Sequence, residues 1–135
     1  MPASPYSIDD PAALLSPSLV VFRDLVERNV ETMIRIEGGP ARLRPHLKTH
    51  KMAEIIRLLE KRGIHKHKCA TIAEAEMLAE AGATDVLLAY PLVGPNLVRF
   101  VNLIKTYPQT RFRAVVDHPD SARALATAAE ALNAP

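Results

Sequence analysis

A parallel α/β fold assembled from βα units is what the sequence predicts, and three observations carry that reading. Short apolar runs alternate with amphipathic stretches of about ten to fourteen residues, the spacing of strands joined by crossover helices rather than by hairpins. Glycines or a Gly-Pro pair stand where the amphipathic stretches stop. The chain has 135 residues, 48% hydrophobic and 24% charged, an ordinary globular composition with enough apolar material for one sizeable core. From Arg42 onward about four βα units follow one another, preceded by one strand and one helix. No Gly-rich phosphate fingerprint follows the first strand, which favours a segment of a (β/α)8 barrel over a dinucleotide-binding open sheet. Periodicity by itself does not separate the two. A closed barrel takes about 250 residues, so this length is roughly half of one.

Residues 1–17, with Pro2, Pro5, Pro11 and Pro17 among Ser and Asp, read as an extended lead-in, leaving 18–135 as a partial barrel domain. Ser18 to Phe22 reads as a short strand. Asp24 to Glu37 follows as a helix, with Leu25, Val26, Val30, Met33 and Ile34 along one stripe and Gly38-Gly39-Pro40 as its stop. Arg42 to Thr49 reads as a strand ending in a polar mouth, and Met52 to Arg62 as a helix stopped by Gly63. A strand around Lys68 to Ala70 leads into Thr71-Ile-Ala-Glu74, a capping box that opens a helix ending at Gly82. Asp85 to Tyr90 is a strand, Pro95 to Lys105 a helix, Arg111 to Asp117 a strand, and Pro119 to Leu132 an Ala-rich helix.

Charge is nearly balanced overall, 17 Lys and Arg against 15 Asp and Glu, but unevenly placed. Between Arg42 and Lys68 lie nine basic residues, four of the five histidines and only two acids, Glu54 and Glu60. Such a block points to an anionic partner: a phosphate, a carboxylate or a nucleic-acid backbone. Three Phe, three Tyr and no Trp offer little for base stacking, and no nucleic-acid-binding motif is present, so nucleic acid is not the expected partner. Cys69, the only cysteine, excludes an internal disulfide and fits a reducing, cytoplasmic setting. No apolar run approaches 18 residues, so no membrane span is expected.

Strand alternation singles out Arg42 to Thr49. Leu43, Pro45 and Leu47 share one face, and Arg44, His46 and Lys48 the other. In a barrel the apolar face meets the helices and the basic triplet points inward, where it needs an anion, waters or lowered pKa values. Lys48 lies at the carboxyl end of its strand, where barrel active sites are built. A second cation beside a lysine favours the neutral, nucleophilic amine that Schiff-base chemistry requires. A solvated basic edge is the alternative reading of the same run.

Other side chains have a plain structural reading beside the chemical one. His50 and Lys51 open a surface loop. His65 and His67 have the residue type for a metal, without accompanying thiolates or carboxylates. Asp117 ends a strand and should ion-pair with an interior Arg. Tyr90 reads as a packed tyrosine, Cys69 as a small buried residue, and Met33, Met52 and Met77 as helix core.

Three linked motifs resemble one family. Arg44-Pro-His-Leu-Lys-Thr-His-Lys51, then Ala70-Thr-Ile-Ala-Glu-Ala-Glu-Met-Leu-Ala-Glu-Ala-Gly82, then Asp85-Val-Leu-Leu-Ala-Tyr-Pro-Leu-Val-Gly-Pro95 resemble the amino-terminal half of the D-threonine aldolase and D-serine dehydratase-like family. Ser18-Leu-Val-Val-Phe-Arg-Asp-Leu-Val-Glu-Arg-Asn29 matches its usual opening, and the likeness runs from about Pro17 to about Ala124. That family belongs to the alanine-racemase-like, fold type III pyridoxal-phosphate enzymes. The resemblance implies the amino-terminal part of a TIM-type (β/α)8 barrel, pyridoxal 5'-phosphate as cofactor, and Lys48 as the lysine that forms the internal aldimine. It also implies a D-amino acid or 3-hydroxy amino acid as substrate. His46 and Thr49 flank Lys48 and are the candidates to contact that cofactor, His46 reading equally as a packed interior histidine. Aldol cleavage, elimination or racemisation would be the reaction, and a homo-oligomer the assembly. The family's phosphate loops come from later strands, and its divalent metal is held near the carboxyl terminus of a second domain. Neither region falls within these 135 residues, so no metal or phosphate ligand is assigned, and the chain alone is expected to be inactive. The alternative function is a non-catalytic half-barrel acting as a dimer or partner-binding domain.

Overall fold

In the computed structural model, which describes residues 4–131, five helices and three strands follow one another in the order the periodicity demands. Helix α1 spans Arg23–Glu37 and α2 spans Ala53–Lys61. Then come β1 Lys66–Cys69, α3 Ile72–Glu80, β2 Asp85–Leu88, α4 Pro95–Thr106, β3 Arg111–Ala114 and α5 Pro119–Ala131. The sheet is parallel and runs in chain order, β1-β2-β3, with Lys66 opposite Asp85 and Asp85 opposite Arg111. One isolated parallel bridge, His46 to Lys68, adds the segment before α2 to the free edge of β1. Each helix from α2 to α5 packs on the next. The strands follow chain order without a reversal among the described residues, as successive strands of a barrel do.

The register divides the sheet cleanly. His67, Cys69, Val86 and Leu88 are buried on one face, with the half-buried Phe112 and Ala114 beside them. Against this face pack Ile56, Leu59, Leu78 and Phe100 from the helices. Lys66, Lys68, Asp85, Leu87, Arg111 and Arg113 alternate onto the opposite face. Asp85 organises the charges there. Arg44 reaches its Oδ1 at 2.7 Å and Arg113 its Oδ2 at 3.3 Å, while Arg44 also donates to the His67 carbonyl at 3.1 Å. Burial alone would raise the Asp85 carboxyl, but the two guanidiniums hold it below its ordinary range.

Helix ends follow the sequence signals. Gly38 sits at φ 74°, its N–H donating to Arg35 and that of Gly39 to Ile34, so α1 ends in a left-handed turn that only glycine enters without strain. Gly63 (φ 80°) has a second reason, because a Cβ there would meet the Pro40 ring at 3.3 Å. The predicted end of the last helix, Leu132, lies outside the described residues.

Two predicted strands are corrected. Residues 18–22 form no strand: no described strand runs alongside, and Leu19 stands 71% exposed. Leu19 and Val21 instead line a cavity of about 580 Å³ with Val26, Met52, Ile55 and Leu58. The Arg42 to Thr49 strand shrinks to the single bridge at His46, between the one-turn 3₁₀ segments Pro40–Arg42 and Leu47–Thr49. Pro45 accepts from Lys68 N–H at 2.8 Å but has no N–H to return, so the ladder cannot extend along this edge. The other strands stop short of their predicted ends, β2 by two residues and β3 by three.

His67 is the most conspicuous polar member of the core. It is fully buried, and its Nε2 meets Glu60 Oε1 at 2.7 Å, while the other Glu60 oxygen takes His65 Nδ1 at 2.5 Å. Among the described residues no three His, Cys, Asp or Glu side chains converge as a metal site; the histidine tract is spent on Glu60.

Two outcomes follow from this packing. Leu88→Ala, at a site 1% exposed, should lower stability by about 2–5 kcal/mol in urea unfolding with an unchanged slope; a loss under about 1 kcal/mol would contradict the assigned core. Burial holds the His67 imidazole below its ordinary 6.5, outweighing Glu60. The unfolded chain therefore binds the proton first, so this contribution is complete above pH 6.5 and declines as pH falls through the folded value. Urea midpoints between about pH 7.5 and 5 should drop on acidification, and less steeply in His67→Gln; equal slopes would refute the assignment.

Candidate functional site

The carboxyl ends of the parallel strands are the end at which a βα architecture places its chemistry. There the chain leaves His46 and curls instead of continuing as a strand. The His46 side chain causes part of this, since Lys48 N–H donates to His46 Nδ1 at 3.1 Å. Thr49 donates its hydroxyl to the His46 carbonyl at 3.3 Å. His50 and Lys51 N–H groups both donate to the Leu47 carbonyl, at 3.1 and 2.9 Å. These local bonds compete with the sheet ladder and win, giving a 3₁₀ turn anchored by Leu47, which is 1% exposed.

Lys48 rides on that turn and points to solvent. The expected inward triplet is therefore only partly formed. Arg44 is drawn away to Asp85, and His46 is half-buried beside Lys48 and Lys68. Burial first, then the charges of those two lysines, push the His46 imidazole below its ordinary value. The neutral ring accepts at Nδ1, which places its proton on Nε2. Burial also lowers His50, whose Nδ1 accepts from Met52 N–H at 3.2 Å.

Sequence reasoning missed the most ordered part of this region. Glu74, in the first turn of α3, is 5% exposed. Its Oε2 accepts from Ala70 N–H at 2.8 Å, its Oε1 meets Lys51 Nζ at 3.2 Å, and its own N–H donates to the Thr71 hydroxyl at 3.1 Å. The capping box is real, but its carboxylate reaches one residue further upstream than the usual N-cap N–H. Although burial acts to raise it, the Ala70 amide and Lys51 ammonium hold Glu74 below its usual range. Lys51 is thus no free surface lysine, and its backbone sits at φ 50°, the one positive φ among non-glycine described residues. The Thr71-x-x-Glu74 spacing showed that an acid was available at the start of α3; nothing in the sequence showed which cation it takes.

The remaining candidates resolve simply. Asp117 is exposed and forms no ion pair among the described residues, so its expected partner is absent. Strand β3 stops at Ala114, three residues short of it. Tyr90 is 61% exposed, not packed, because β2 ends at Leu88. Cys69 is fully buried against the helices, and that burial pushes its thiol up to about 12, so it is no nucleophile.

Comparison with known proteins agrees with this geometry. Residues 22–135 match the family model of the alanine racemase N-terminal domain. D-threo-3-hydroxyaspartate dehydratase from Delftia sp. (strain HT23) is 30% identical over 112 residues, covering 82% of this chain and 29% of that protein. The crystal structure of D-threonine aldolase from Filomicrobium marinum superposes with a TM-score of 0.79 at 32% identity, over 88% of this chain and 32% of that one. The chain thus spans about a third of the length of the relatives it matches. Its three-stranded parallel sheet and helices correspond to the amino-terminal part of a TIM barrel, and the alanine-racemase-like fold is a pyridoxal-phosphate-dependent one. With residues 22–135 matching that family model, this chain belongs to the alanine racemase N-terminal domain family.

Proposed function

We propose that the chain forms the first part of a pyridoxal-phosphate lyase acting on a D-amino acid bearing a 3-hydroxyl group, with Lys48 as the lysine that joins the cofactor's aldehyde. The observation that carries this reading is the contrast between two lysines three residues apart. Lys51 is held by a buried carboxylate, whereas Lys48 is exposed, forms no ion pair among the described residues, and stands on a hydrogen-bonded turn at the carboxyl ends of the strands. An amine that must be deprotonated and attack a carbonyl needs that freedom. The substrate class is supported by the relatives, since D-threo-3-hydroxyaspartate and D-threonine share the D configuration and the 3-hydroxyl.

Bound pyridoxal phosphate supplies an electron-withdrawing ring that takes up the electron pair left when a bond at the substrate's α-carbon breaks. Binding and orientation fall to the chain's own residues. Lys48 offers the amine. His46 and Thr49 orient the backbone that carries it, and the His46 Nε2–H, with no partner among the described residues, can donate toward whatever occupies the mouth. Elimination and aldol cleavage differ in which bond at the substrate is aligned for cleavage.

Treating the chain with pyridoxal phosphate and then borohydride, and mapping the modified peptide by mass spectrometry, should place the label on Lys48. Lys48→Ala should lose it. A label on Lys51 or Lys68 that survives in Lys48→Ala would overturn the assignment.

A further inference from the structure

Three features converge on the turn that carries Lys48. Glu74 is buried, with each carboxylate oxygen committed to a single partner, Ala70 N–H on one and Lys51 Nζ on the other. Lys51 adopts a left-handed backbone conformation that a lysine rarely enters and that its surroundings must therefore enforce. Its N–H closes the turn onto the Leu47 carbonyl at 2.9 Å, so the residue bound by Glu74 is also the one that ends the Lys48 turn.

We propose that Glu74 is a positioning residue that selects Lys48 over Lys51 as the reactive amine. This rests on the reading of Lys48 as the cofactor lysine. The physical reason is asymmetric. The Lys51 side chain is 60% exposed and could otherwise sweep solvent freely, but the carboxylate it pairs with is 6% exposed. If Lys51 left, Oε1 would be stranded as a desolvated anionic oxygen without a partner, which costs far more than breaking a surface pair. Before reacting, Lys51 must both abandon that oxygen and lose its proton. Lys48 has no such oxygen to abandon. The same grip fixes the end of the turn, so the direction in which Lys48 projects depends on an acid from a different βα unit. Thr71 is separable from this role, because its hydroxyl caps the Glu74 N–H and touches neither lysine.

Competitive acetylation of the full chain without cofactor, read lysine by lysine by mass spectrometry across pH, tests the proposal. In the wild type, Lys48 should react several-fold faster than Lys51. Glu74→Gln should raise Lys51 reactivity until the two are within about twofold, and should speed amide exchange over residues 48–51. Glu74→Asp, whose shorter arm cannot hold both partners, should fall between. Thr71→Ala should weaken α3 yet leave the lysine ratio unchanged, which separates positioning from a general structural effect. Equal reactivity in the wild type, or a ratio unmoved in Glu74→Gln and Glu74→Asp alike, would overturn the proposal. Should Glu74→Gln fail to fold, Glu74→Asp alone decides it. A Lys48-selective ratio that depends on Glu74, combined with cofactor trapping at another lysine, would refute the cofactor reading and leave the role of Glu74 standing. Trapping at Lys48 with a ratio indifferent to Glu74 would do the reverse.

Discussion

The two-residue alternation of a parallel strand constrains everything else in this molecule. Each strand is only four residues long, and each must give every second side chain to the helices. His67, Cys69, Val86, Leu88, Phe112 and Ala114 answer that demand, which forces Lys66, Lys68, Asp85, Arg111 and Arg113 onto the other face with Leu87 as the one apolar member. A sheet with this division cannot slip its register by one residue without carrying these five charges into the core. The Asp85 clamp follows from the constraint as well: a single acid among several bases on one face draws Arg44 across β1 and Arg113 across from β3.

The lysine-bearing turn depends on the same edge. Because Pro45 cannot donate, the outermost segment is held to β1 by one bridge and is free to bend immediately after His46. His46 and Thr49 supply bonds that a continuing strand would not allow. A strand carried on to Thr49 would have left Lys48 stacked with Arg44 and His46 on the inner face. The bend exchanges that crowded cationic position for a solvent-facing one at the carboxyl end of the sheet, where an amine can meet a small molecule.

Much of the architecture was legible because periodicity and capping signals are local. Helix α3 opens at Thr71 and α1 closes at Gly38 as their capping residues indicate, each for a reason contained within four residues. Strand identity was legible for β1, β2 and β3; strand length was not, since the end of a strand depends on whether a neighbour offers a ladder. Residues 18–22 have strand-like composition and no neighbouring strand among the described residues, and Tyr90 and Asp117 lie beyond the last paired residues of β2 and β3. The motif containing Lys48 was visible as a motif. What its companions do was hidden, because Glu74 stands 23 positions beyond Lys51 and only folding brings carboxylate to ammonium.

The basic block shows how a charge pattern changes meaning in three dimensions. Along the sequence, nine bases against two acids between Arg42 and Lys68 look like a footprint for an anion. In the fold, acids from outside the block reach into it. Asp85 takes Arg44, Glu74 takes Lys51, and Glu27 and Glu31 from α1 both take Arg62. Within the block, Glu60 binds both histidines of the His65-Lys-His67 tract, and Lys66 reaches just outside it to donate to the Ala41 carbonyl. Most of these contacts join segments far apart along the chain, so the block works mainly as a set of clamps between neighbouring βα units. Lys48 and Lys68, the two bases beside His46, form no ion pair among the described residues. Arg42, Lys61 and Lys66 likewise form no ion pair among the described residues, but only Lys48 and Lys68 flank His46, so an anionic small molecule approaching the carboxyl ends of the strands meets these two ammonium groups and the His46 ring together.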